Sequence, residues 1–96
     1  MSLPDVGQQT QAVIEAKIFD LLATRQEGAT ICPSEVARAL ASDSASWRGL
    51  MAQVRQVAQR LARSDRLQVT RGGVQVDATS RGGPIRLGRP IKREDT

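Results

Sequence analysis

The side chains with which this chain could do chemistry are mostly arginine and glutamine. From Trp47 to Arg63 the stretch WRGLMAQVRQVAQRLAR carries Arg48, Gln53, Arg55, Gln56, Gln59, Arg60 and Arg63, with no carboxylate among them. At 100° per residue these lie opposite an apolar arc of about 140° formed by Trp47, Leu50, Met51, Val54, Val57, Ala58, Leu61 and Ala62, as an amphipathic helix docked on a core requires. A guanidinium pairs with guanine O6 and N7 or with phosphate oxygens, and a glutamine amide pairs with adenine N6 and N7. A helix entering the major groove by its N-terminal part would present Arg48, Ala52 and Arg55 on one side, with Gln53 nearby. The same face also suits plain solvation, and Arg60 and Arg63 then complement the C-terminal end of the helix dipole.

Little else in the chain is reactive. It has no histidine and a single cysteine, Cys32, so neither an internal disulfide nor a thiol metal cluster is expected. The ten carboxylates are scattered rather than paired. Gly72-Gly73 and Gly82-Gly83 lack the strand-to-helix setting of a phosphate-binding loop. Catalysis, a cofactor and a bound metal are therefore not expected. Phe19 and Trp47 are the only aromatic residues, which leaves no stacking platform for single strands. Trp47 reads as a core anchor at the start of its helix, and Cys32 as a small half-buried cap with no neighbouring His or Lys to activate it.

The charge is asymmetric. Residues 1 to 46 hold three basic and six acidic side chains, residues 47 to 96 eleven basic and four acidic, within a net charge of +4. Twelve of the fourteen basic residues are arginine, a bias that favours planar recognition but that GC-rich codon usage also produces. A basic half points to a polyanion, although basic tails and solvated helices give the same pattern. No apolar run reaches the length of a signal peptide or a membrane span, and a reducing cytoplasm is the expected location.

The elements that must position these residues follow from periodicity. Ile14, Ile18, Leu21 and Leu22, widened by Val13 and Phe19, predict a first helix from about Gln9 to Arg25, ended by Gly28 in the left-handed conformation. Thr30 and Ile31 fit a brief strand. Pro33 opens a second helix with Cys32 at its cap, Glu35 at the third position and an Ile31–Val36 staple, burying Val36, Ala37 and Leu40. Ser44 is the expected cap of the third helix, with Asp43 or Ser46 as the alternatives, and the helix leaves through a left-handed Asp65. In LQVTRGGVQVD, from Leu67 to Asp77, a two-residue Gly72-Gly73 hairpin puts Leu67, Val69, Val74 and Val76 on one face. The brief strand can join this hairpin, and Ile85 and Leu87, flanking Arg86, can pack an extended piece against the domain.

Helix, strand, helix, helix, hairpin is the order of a winged helix-turn-helix domain: α+β, mostly α, with three helices, a small antiparallel sheet and a β-hairpin wing. The expected organisation is a disordered N-terminus over 1–8, the domain over 9–88 and a flexible basic tail over 89–96. CPSEVARAL (Cys32 to Leu40), W-R-x-L-M-x-x-V-R-x-x-A-x-x-L (Trp47 to Leu61) and GPIRL (Gly83 to Leu87) together resemble a bacterial family of small domains of unknown function. The resemblance covers roughly residues 12 to 88 and implies a winged-helix-like fold without any activity. It departs at Asp65, where the family pattern has glycine.

The reading that follows is a DNA-binding winged helix, of the kind a small transcriptional regulator uses, that touches duplex DNA through Arg48, Gln53 and Arg55, through Arg71 at the wing tip, and through the tail cations Arg81 and Arg89. Lys92 and Arg93 could extend that track, whereas Arg86 reads as a structural bridge to a carboxylate such as Asp77. The alternative is a protein-interaction adaptor of the same fold, with an exposed apolar patch around Val13 or Phe19. A homodimer fits either.

Overall fold

A computed structural model of the chain describes residues 11–41 and 44–90; the expected frayed terminus, Lys92 and Arg93 lie outside them, as do the side chains of residues 44 and 45. The elements are α1 (Gln11–Ala23), β1 (Thr30–Ile31), α2 (Pro33–Leu40), α3 (Ser44–Arg63), β2 (Gln68–Arg71), β3 (Val74–Gln75) and β4 (Arg86–Gly88). Three helices thus pack with a four-stranded antiparallel sheet, an α+β, mostly α arrangement compatible with a winged helix.

The core is aliphatic. Ile14, Ile18 and Leu22 of α1 meet Val36 and Ala37 of α2, Val54, Val57, Ala58 and Leu61 of α3, and Ile31, Val69 and Leu87 of the sheet. Burying each large side chain of this kind is worth about 1.5–3 kcal/mol, which binds the sheet to the helices. Trp47, Phe19 and Met51 pack against this cluster while keeping one side in solvent.

Helix ends show where local chemistry acts. α1 stops at Ala23, before the expected glycine. The Thr24 hydroxyl donates to Leu21 O at 2.7 Å and Arg89 Nη2 to Leu22 O at 3.1 Å, so these two carbonyls of the last turn are satisfied without Gly28. Gly28 does take φ +87°, but in a separate turn that Ala29 N–H closes onto Gln26 O. α3 begins with Ser44 as its first helical residue rather than its cap, and the preceding Asp43 lies outside the described residues. Its exit is a Schellman motif: Asp65 at φ +61° donates to Ala62 O and Arg66 to Leu61 O.

At α2, Cys32 is extended and precedes Pro33; its N–H donates to Glu35 Oε2 at 2.7 Å, half of a capping box. Glu35 Oε1 accepts from Arg25 at 2.8 Å. The Cys32 N–H and, beyond the opposing effect of burial, the Arg25 guanidinium hold the Glu35 carboxyl below its ordinary value. A depressed folded-state pKa gives stability that is present above the unfolded pKa and lost as pH falls through the folded one. Urea midpoints followed from about pH 5 down to about pH 3 should therefore fall less steeply in Glu35→Gln than in the parent.

The sheet departs from expectation. Its order is β1-β4-β2-β3, so the brief strand does not pair with the hairpin. The Ile85–Leu87 segment lies between them as a central strand, with Leu87 facing both Ile31 and Val69 and Gly88 both Thr30 and Gln68. Arg86 pins this strand to β1, Nε donating to Thr30 Oγ1 at 2.8 Å and Nη2 to Thr30 O at 2.9 Å. Its structural partner is thus Thr30 rather than Asp77. A side chain at Gly88 would bring Cβ to 3.0 Å from Thr30 Cγ2, so glycine lets the strands close there. In the hairpin Gly72 and Gly73 both take positive φ, as a two-residue turn demands. Leu67 and Val69 are buried and Val76 half-buried, but Val74 stays 64% exposed. It shares their face, yet it stands about 7 Å further toward the hairpin tip than Val76.

Candidate nucleic-acid interface

Many arginines are consumed by the fold. Arg60 and Arg66 each reach Glu15 of α1 at 3.1 Å, one on each carboxylate oxygen, and Arg66 also covers the Phe19 ring at 5.4 Å. Arg25 holds Glu35, Arg86 holds Thr30, and Arg89 holds the last turn of α1 through Leu22 O. Arg71, expected at the wing tip as a DNA contact, instead folds onto the loop after the hairpin. Its guanidinium donates to Gly83 O at 2.9 Å, Ser80 O at 3.3 Å, and Ser80 Oγ and Arg81 O at 3.4 Å. Gly82 makes this approach possible: with φ +146°, a Cβ there would stand 2.7 Å from Arg71 Cζ.

The side chains of five described arginines make no hydrogen bond or ion pair with another described residue: Arg38, Arg48, Arg55, Arg63 and Arg81. Arg48 and Arg55 lie on one flank of α3, two turns and about 10 Å apart. Arg38, in the last turn of α2, and Arg48 both sit over the Trp47 ring, at 4.5 and 5.5 Å from its centroid. The Arg38 contact joins the end of α2 to the start of α3, and with Arg48 on the same ring two charges are held at one place. Arg38 was not recognisable in the sequence, because no periodicity relates a residue on one helix to a ring on another.

Gln53 does not join this group. It lies about 140° around α3 from Arg48, half-buried, on the flank from which Arg60 reaches α1. Gln59, on the Arg55 flank, accepts the Ala78 N–H at 2.8 Å and so anchors the loop that carries Arg81. Arg81 gives its carbonyl to Arg71 while its side chain is exposed. Arg55 is half-buried, and its Nε is shielded from water without any hydrogen-bond partner.

Residues 11–90 match the model of DUF3253, a family of proteins of unknown function. The chain belongs to this family. No curated protein matches it. In this DUF3253 domain the other polar features have local explanations. The Cys32 thiol lies 2.7 Å from Ser34 Oγ; burial raises its pKa, but hydrogen bonds from Ser34 and the helix backbone outweigh burial and bring it below the ordinary thiol value. A shallow groove of about 210 Å³ runs over Gly88, lined by Ala29, Thr30, Gln68, Thr70 and Arg89. Among the described residues no group of His, Cys, Asp or Glu could hold a metal, and no helix is long and apolar enough to cross a membrane.

Proposed function

We propose that this DUF3253 domain binds duplex DNA through the α2–α3 corner and the Arg48–Arg55 flank of α3, with Arg81 on the adjoining loop. The observation that carries this reading is how the arginines divide. Those facing α1 and the sheet are matched by carboxylates or carbonyls, whereas Arg38, Arg48 and Arg55 have no such partner among the described residues. Cations that a fold leaves unmatched along one helix suit an anionic partner, and in helix-turn-helix docking the first turns of the third helix meet base edges. Arg71 and Arg89 then act by holding the loop and α1 in place, and Gln53 stands aside. A homodimer would present two such faces to paired half-sites.

The adaptor reading has less to support it. Phe19 is half-buried under Arg66, and the large hydrophobic residues that remain exposed among those described are Val13 at 42%, on α1, and Val74 at 64%, at the hairpin tip. Separate single residues do not make the patch that a protein interface uses.

Fluorescence anisotropy of a labelled duplex at about 50 and 200 mM salt tests the proposal. Binding at the lower salt, with log K falling linearly in log salt by about 0.9 per phosphate neutralised, is expected. Absence of binding at the lower salt, or affinity indifferent to salt, overturns it.

A further inference from the structure

The shielded Nε of Arg55 has a meaning beyond the count of free charges. A buried donor normally finds an acceptor, and a charged guanidinium with one N–H kept from both water and protein is a cost to the folded state. Arg55 borders the apolar arc of α3 beside half-buried Met51, one turn away on the same face, a setting that suits an unbranched apolar side chain. Arg60, on the same helix, has its carboxylate partner, and Arg63 is exposed.

Building on the DNA-binding reading, we infer that Arg55 is held in reserve. Its guanidinium is kept against the domain in the free protein and turns outward to place Nε and one Nη on two adjacent acceptor oxygens or nitrogens of the duplex. Binding then supplies the partner that folding withholds, so a residue that is a cost to the free domain is one whose loss weakens the complex. A lysine cannot replace it, because an ammonium has no paired donors in a fixed fork.

The experiment compares the parent with R55M, R55K and R63M by thermal melting and by duplex anisotropy. R55M keeps the stem and removes the unpaired N–H; it should raise the melting midpoint by about 4 °C or more, a rise that R63M does not share. R55M should weaken duplex binding at least about tenfold and make the log–log salt slope shallower by about one. R55K should weaken binding by a similar factor while keeping the parent slope, since its charge is retained. A duplex of A·T pairs only, run beside a mixed sequence, separates the two acceptor sources. Equal losses on both place Nε on phosphate, and a loss confined to the mixed duplex places it on guanine. An R55M midpoint at or below that of the parent, or R55M binding within twofold of the parent, overturns the inference while leaving DNA binding intact. A parent protein that binds no duplex removes both.

Discussion

A chain ended after Pro84 loses its folded state, and Leu87→Ala lowers stability by about 2–5 kcal/mol while Val74→Ala changes it by less than about 0.5 kcal/mol. Leu87 is fully buried and lies in register with Ile31 on one side and Val69 on the other. Removing its branched end opens a cavity where sheet and helices meet. Ending the chain at Pro84 removes more: the whole strand that separates β1 from the hairpin, together with Arg86 on Thr30 and Arg89 on Leu22 O. Edge pairing for β1 and for β2 then vanishes at once, and a two-stranded hairpin alone is marginal in water. Circular dichroism and urea titration of the shortened chain and of Leu87→Ala measure the effect. A shortened chain that still melts cooperatively would show that β4 is an accessory strand.

The second large effect separates two pairs of arginines on one helix. Replacing Arg48 and Arg55 together by alanine should reduce duplex affinity about 100-fold or more, since each well-paired arginine is worth about 1–3 kcal/mol. The melting midpoint should change little: neither side chain has a hydrogen bond or ion pair among the described residues, and the loss of the Arg48–Trp47 contact and of the Arg55 stem is set against removal of the shielded Nε. Replacing Arg60 and Arg63 should do the reverse on a smaller scale. Arg60 gives up its bridge to Glu15, a half-exposed pair worth about 0–1 kcal/mol, and affinity drops only by the general loss of charge. Anisotropy and melting of both double variants decide the matter, and equal losses of affinity would mean that α3 offers only diffuse charge.

Much of this architecture could be read along the chain because its causes are local. The 3.6-residue recurrence of Ile14, Ile18 and Leu22, the Pro33 and Glu35 pattern after Cys32, the left-handed Asp65 and the Gly72-Gly73 turn are each decided by neighbours within a few residues. The candidate site was legible only in part. The flank that carries Arg48 and Arg55 follows from helical geometry, but Gln53 fails the same geometry once its 140° offset is applied.

By itself, then, the sequence determined the helices, the cap of α2, the exit of α3, the hairpin and the polarity of α3, since hydrophobic period and turn chemistry act over one or two turns. It did not determine which strand sits at the centre of the sheet, nor which arginines are consumed. Arg71 and Arg81 are ten residues apart, Arg86 and Thr30 fifty-six, and Arg60 and Glu15 forty-five. Whether a guanidinium meets a carboxylate, a carbonyl, a ring or nothing depends on what the packed core brings within about 3 Å of it, a distance set only by the tertiary fold.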